Sequence, residues 1–147
     1  MQDSNALVLE ISRQNSILAM SVFEQKELAS TVRHYSQCSI SSHEVNKLCQ
    51  EIASILNRTN RKGILETDLV DSLKKTGQLL WDHLFSKAVK DRLKTSPIKD
   101  LILSLDEELI HIPWELLYTG EDFLCLRFNL GRVIRTKEKL SRSESVV

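Results

Sequence analysis

Hydrophobic residues occupy every second position in two stretches near the start of the chain. Leu7, Leu9 and Ile11 have this spacing, and after the polar run 13–16 it returns in the series Ile17, Ala19, Ser21 and Phe23, in which only position 21 is polar. A period of two is typical of β-strands, and a polar run between two such stretches indicates a turn. The pattern predicts a β-hairpin within residues 1–36, and the β-prone residues 31–35 predict a third strand beside it.

The hydrophobic spacing changes to three and four residues over positions 41–94, which is typical of helices. Ser41 and Glu44 form a capping box that predicts the start of a first helix. This helix is expected to end near Asn57. Its apolar stripe consists of Val45, Leu48, Cys49, Ile52, Ile55 and Leu56.

A second helix is predicted to start at Thr67, and its apolar stripe contains a glycine. Glycine costs about 1 kcal/mol in a helix relative to alanine. The place of Gly77 in the stripe therefore indicates that a neighbouring backbone approaches closely there. Ser86 is expected to separate a third segment, residues 87–93. The other stripe residues are Leu69, Val70, Leu73, Leu80, Trp81, Leu84 and Ala88.

Short apolar runs replace the helical spacing in residues 100–136. The predicted strands are residues 101–105, 109–112, 123–128 and 131–134. Pro113 cannot donate to a sheet ladder, so the chain is expected to turn there. Residues 137–147 are polar and aperiodic, which predicts a disordered tail. A single compact domain is therefore expected over residues 1–136.

Composition and charge indicate which classes of partner, such as nucleic acid or membrane, the chain is expected to bind. Hydrophobic residues make up 41% of the chain and charged residues 27%, which is ordinary for a globular domain. Lys and Arg number 20 and so do Asp and Glu, and the basic stretches lack interleaved aromatic residues. The balanced charge gives no overall positive potential that would attract nucleic acid or an acidic membrane, and no exposed aromatic surface is expected on which bases could stack. Neither is therefore expected as a partner.

The cysteines and the first residues bear on compartment and cofactors. Cys38, Cys49 and Cys125 have no metal-ligand spacing, so no disulfide framework or metal site is expected. No cofactor is expected either, because the sequence has neither a phosphate-cradling glycine loop nor a dinucleotide fingerprint. The first residues lack the pattern of a signal peptide, and no stretch reaches the ~18 apolar residues of a membrane span. A cytoplasmic location is therefore expected.

One series of residues carries a family resemblance. The apolar run 101–106 ends in Asp, and a proline-initiated turn follows it, made of Pro113, Trp114, Glu115, Leu116 and Leu117. Phe123-Leu124 and Arg132-Val133 come next, and residues 77–84 form the preceding helix. This order resembles the CHAT domain family, a group of caspase-like domains in the clan of cysteine peptidases.

The resemblance implies an α/β fold (α+β overall), with an amino-terminal hairpin, two to three helices and the opening strands of a caspase-like sandwich. Active members of the family pair a strand-end His, followed by glycine, with a Cys after a later apolar strand. None of the 4 histidines here is followed by glycine. The resemblance thus covers only the amino-terminal part of the family, so no catalytic residue is assigned and no activity is expected of this truncated chain alone.

Two alternatives stay open. His111 and Cys125 are candidates for an unrecognised peptidase dyad, because strands 109–112 and 123–128 could pair and bring them close. The other interpretation of these two residues is a histidine bonded to backbone and a small buried hydrophobic cysteine. The second alternative is a small adaptor with an unrelated α+β fold.

The sequence therefore favours a protein that acts by association. A sheet that stops after its opening strands leaves an edge with unpaired amides and carbonyls, and such an edge invites pairing with another chain. The expected partner is a protein, either the absent catalytic half or a second copy of the chain.

Overall fold

A mixed five-stranded β-sheet forms the centre of the computed structural model, which describes residues 5–27, 35–62 and 67–136. The strand order is β3-β2-β1-β4-β5. β1 pairs with β2, and β2 with β3, in antiparallel fashion, whereas β1, β4 and β5 are parallel neighbours. The strands are β1 (Ala6–Gln14), β2 (Ile17–Glu24), β3 (Ser36–Ser39), β4 (Asp100–Asp106) and β5 (Asn129–Arg135).

Helices fill most of the chain between β3 and β4. In the described ranges these are α1 (Ser42–Lys62), α2 (Thr67–Leu84) and α3 (Lys87–Thr95), with the short α4 (Leu124–Arg127) before β5. Single 3₁₀ turns lie at Gln25–Glu27, Glu107–Leu109 and Trp114–Leu116. The combination of sheet and helices confirms the predicted α/β fold. No described helix has the length and apolar character needed to cross a membrane.

One face of the sheet carries the hydrophobic core. Leu7, Leu9 and Ile11 of β1 are fully buried, and Leu101 and Leu103 pair directly with the first two of them on β4. The residues of α1, α2 and α3 that complete this core are Val45, Leu48, Ile52, Ile55, Leu69, Leu73, Leu80, Trp81, Leu84, Val89 and Leu93. The apolar residues of the strands and the apolar residues of the helices thus pack against each other in a single core.

The hairpin prediction is confirmed, but the predicted series does not account for all the buried positions of β2, and the third strand lies further along the chain. Leu18 and Met20 of β2 are fully buried in the core shared with the helices and Ile17 is 40% exposed, although Ser21 and Phe23 of the predicted series are buried as well. Both series contain apolar residues, and the pairing of Met20 with Ile11 of β1 places the even-numbered series on the side of the helices. The third strand lies at Ser36–Ser39, after the predicted 31–35, of which 31–34 fall outside the described residues.

The helical predictions are largely confirmed. Ser41 Oγ accepts from the Glu44 amide at 3.3 Å, as the capping box requires. α1 continues to Lys62 instead of ending near Asn57, because neither glycine nor proline interrupts it there. Ser86 does end the second helical segment, since its Oγ caps α3 at the Val89 amide. Ala88 lies on this new helix and is exposed, not buried as predicted.

Two strands predicted after residue 106 are wrong. Residues 109–112 belong to a 3₁₀ turn and the bends after it, and residues 124–127 are helical. Leu124 and Phe128 are buried while Cys125 and Leu126 between them are exposed. This spacing of four is helical, and the four consecutive hydrophobic residues 123–126 do not reveal it. The strand predicted at 131–134 is confirmed as part of β5, and the predicted tail 137–147 lies outside the described residues.

Candidate functional site

The proline-initiated turn packs a tryptophan into the core beneath the parallel strands. Trp114 is fully buried, and its indole Nε1 donates to the Leu109 carbonyl at 3.0 Å. Its ring stacks on Phe85, with 5.8 Å between ring centroids, and Phe85 meets Trp81 edge-on. The turn therefore joins the end of β4 to the junction between α2 and α3.

Gly77 of α2 lies against the backbone of this turn. The Tyr118 amide donates to the Gly77 carbonyl at 3.1 Å, so helix and turn touch through main-chain atoms. A Cβ atom at position 77 would stand 2.3 Å from the Leu116 carbonyl oxygen. The close backbone approach predicted from the sequence is confirmed, and it places the turn on α2 with no room for a side chain between them.

An ion pair between Glu115 and Arg132 connects the turn to β5. Arg132 Nε lies 2.7 Å from Glu115 Oε2, and Arg132 Nη2 lies 2.6 Å from Oε1. The same guanidinium donates to the carbonyls of Ile110 and Ile112 at 2.9 and 3.0 Å. The hydrogen bonds from Arg132 lower the pKa of Glu115, although partial burial of the carboxyl opposes this. The charge on Glu115 is thus neutralised where β5 meets the turn.

A second ion pair joins the carboxyl ends of the parallel strands. Asp106, the last residue of β4, accepts from the Arg13 amide at 2.8 Å and from Arg135 Nη2 at 3.1 Å. Arg135 Nη2 also bonds to the Ile11 carbonyl. Because both oxygens of Asp106 already have partners in the fold, this cluster fixes β1, β4 and β5 relative to one another.

The outer edge of β5 is not paired with another strand in the described part of the chain. The Asn129 amide donates to the Lys99 carbonyl at 2.8 Å, so odd-numbered residues of β5 direct their backbone groups at β4. In a parallel strand, the backbone groups of alternate residues point to opposite sides. Those of Leu130, Arg132 and Ile134 therefore point away from the sheet, and no backbone group in the described part of the chain bonds to them.

The two dyad candidates are not brought together by strand pairing, because neither predicted strand exists. His111 lies in the bend after the 3₁₀ turn and Cys125 on α4, and both are exposed. No hydrogen bond joins them within the described residues. Burial raises the pKa of the Cys125 thiol, and the nearby Glu115 carboxylate raises it further, against an opposing backbone hydrogen bond. This environment favours the neutral thiol over a nucleophilic thiolate.

The remaining cysteines also lack features of an active site. Burial raises the pKa of the thiols of Cys38 and Cys49, and Cys38 Sγ donates to the His83 carbonyl at 3.3 Å. Within residues 5–27, 35–62 and 67–136, no group of three or more His, Cys, Asp and Glu side chains could hold a metal ion. The polar groups that do converge are the Arg132 and Arg135 ion pairs, which the sequence did not predict because their members lie 17 and 29 residues apart.

The sheet, its helices and the buried turn define an α/β protein whose parallel strands β1, β4 and β5 lie side by side. Comparison with known families adds a specific match: residues 74–146 fit the CHAT domain. The chain therefore belongs, through this segment, to the CHAT domain family, and the resemblance seen in the sequence is confirmed. A comparison with curated proteins found no match.

Proposed function

We propose that this chain is a non-catalytic amino-terminal portion of a CHAT-type caspase-like protein, and that it acts by associating with another polypeptide through the outer edge of β5. The observation that carries this proposal is the row of outward-facing backbone groups on Leu130, Arg132 and Ile134. Unpaired edges of this kind accept a further strand by main-chain hydrogen bonding.

The side chains along this edge support the proposal. Sheet proteins usually protect an edge with lysine, proline or a bulge. β5 contains neither lysine nor proline, and its two arginines are held in ion pairs with Glu115 and Asp106. Val133 is 52% exposed beside the edge. A partner strand would cover this valine without having to displace a free charge.

Association is tested with variants of Val133. The probe is a separately produced polypeptide that carries the later strands of a CHAT domain, and complex formation is followed by size-exclusion chromatography with light scattering. Val133→Lys should abolish association, whereas the matched control Val133→Thr, which keeps a β-branched side chain, should retain it. A chain that neither binds this polypeptide nor self-associates would contradict the proposal.

The rival function, a cysteine peptidase that uses His111 and Cys125, is tested by alkylation. An activated thiolate reacts with iodoacetamide much faster than an ordinary thiol at neutral pH. We expect Cys125 to react no faster than free cysteine, because the pKa of its thiol is raised. Rapid and selective labelling that His111→Ala abolishes would instead support the peptidase. The match to the CHAT domain argues against the unrelated adaptor fold.

A further inference from the structure

The edge of β5 has a pattern of side chains that complements itself. On the sheet face away from the helices, Gly131 leaves bare backbone with no atom within 4 Å of where a Cβ would lie, and Val133 stands two residues further on with half of its surface exposed. On the opposite face, Leu130 and Ile134 lie one on each side of Arg132 and pack partly against the core.

Antiparallel pairing of two such edges has a preferred register. Residues whose backbone groups point outward must face one another to exchange hydrogen bonds. If Arg132 faces Arg132 of a second copy, then Leu130 faces Ile134 and Ile134 faces Leu130, so all three outward residues of each strand are used. In the same register Val133 of each copy lies opposite Gly131 of the other, and the valine covers the exposed backbone.

Charge does not oppose this register. Like charges directly opposite each other destabilise a strand pair. Here, however, each Arg132 guanidinium is already bound by Glu115 at 2.6 and 2.7 Å and by two backbone carbonyls of its own chain. The contact between the two arginines at the symmetry axis is therefore between neutralised ion pairs.

We propose that two copies of this chain associate through β5 about a two-fold axis at Arg132, forming one continuous ten-stranded sheet in which Val133 packs over Gly131 of the other copy. This inference rests on the proposed function, since it specifies which strand occupies the open edge. A single pair of seven-residue strands buries little surface compared with a standard interface, so the dimer should be weak and dependent on concentration.

The register is tested by disulfide trapping in a Cys125→Ser background. In antiparallel pairs, residues opposite each other without mutual hydrogen bonds have Cα atoms about 4.5 Å apart, within the range that a disulfide spans. A mixture of Gly131→Cys and Val133→Cys chains should therefore form a covalent heterodimer under mild oxidation. Each variant alone should give little crosslinking, because its two cysteines would be offset by two residues, or roughly 7 Å along the strand.

The other results overturn the inference in distinct ways. Crosslinking of either variant alone at the rate of the mixture would show a different register. A monomer at every concentration that still binds the later strands of a CHAT domain would exclude self-pairing while the proposed function survived. A monomer that also fails to bind that polypeptide would remove both proposals. The Cys125→Ser chain without new cysteines serves as the control and should not crosslink.

Discussion

The guanidinium of Arg132 meets the carboxylate of Glu115 side-on, with two nitrogen–oxygen contacts of 2.7 and 2.6 Å. This two-point geometry is the strongest form of a surface ion pair, because the planar groups match in shape as well as in charge. It connects the outermost described strand of the parallel group to the turn that carries Trp114. Glu115 therefore contributes to this connection through Arg132.

Replacing Arg132 should destabilise the fold measurably. Arg132→Met leaves Glu115 and the carbonyls of Ile110 and Ile112 without their donor, and we expect a loss of about 1–2 kcal/mol, reduced from the buried case by partial exposure of the pair. Arg132→Lys should lie between methionine and the wild type, since an ammonium cannot make the two-point contact. Urea unfolding followed by tryptophan fluorescence measures the change.

Arg92 provides the matched control. It contacts Glu24 through one nitrogen at 3.4 Å, and 42% of its side chain is exposed. Exposed single contacts of this kind contribute little, so Arg92→Met should change stability by less than about 0.5 kcal/mol. Equal losses of unfolding free energy for the two arginine variants would show that the two-point contact stabilises the protein no more than a single contact does.

Acid should selectively remove the contribution of Glu115. The hydrogen bonds from Arg132 hold the pKa of this carboxyl below its ordinary value of 4.5 in the folded chain. A depressed folded pKa means that the stabilisation is complete above the unfolded pKa and is lost as pH falls through the folded pKa. The stability difference between wild type and Glu115→Gln should therefore be constant near neutrality and shrink below about pH 4.5.

A pH series of urea unfolding curves tests this expectation. The two proteins should converge at low pH, because a protonated glutamate and a glutamine are both uncharged beside Arg132. Salt should weaken the difference at neutral pH, since the pair is partly exposed. A difference that stays constant down to about pH 3, well below the ordinary range of a glutamate pKa, would mean that the glutamate acts by packing and not by charge.

Much of this architecture could be predicted from local patterns, because local patterns determine which residues are buried. The period of two indicated the hairpin, the capping box indicated the start of α1, and the glycine in the apolar stripe of α2 indicated the close approach of another backbone. Each of these features follows from the preferences of a few adjacent residues.

The features that the sequence did not predict depend on contacts between segments that are distant along the chain. The apolar run 123–128 suits a strand as well as a helix, and only the burial of Leu124 and Phe128 against the core makes it helical. The parity of β2 is likewise set by its pairing with β1. The partners of Arg132 and Arg135 come from separate elements, and no spacing along the chain identifies them.

Gly77→Ala should destabilise the protein, contrary to the usual helix preference. In an open helix this change would stabilise by about 1 kcal/mol. Here the new methyl group would lie 2.3 Å from the Leu116 carbonyl oxygen, a backbone atom that cannot rotate away. We expect a net loss of about 1–3 kcal/mol, as for other overpacked sites. Equilibrium unfolding in urea measures it.

Gly131→Ala is the control for that change. Position 131 has no atom within 4 Å of an added Cβ, and its backbone does not adopt a positive φ. Alanine there should be neutral or slightly stabilising when measured on dilute protein, where self-association is minimal. If Gly77→Ala proved as harmless as Gly131→Ala, the close contact between α2 and the turn would be disproved.

The hydrogen bond from the Trp114 indole should be measurable by comparing the two tryptophans. Both Trp114 and Trp81 are buried and both contact Phe85, but only the Trp114 Nε1 has an acceptor among the described residues, the Leu109 carbonyl. Replacement by phenylalanine removes similar volume at each site. Trp114→Phe should therefore cost about 1 kcal/mol more than Trp81→Phe, the usual net value of one hydrogen bond. Each variant keeps one tryptophan, so fluorescence still reports unfolding, and equal losses would show that the indole hydrogen bond makes no net contribution to stability.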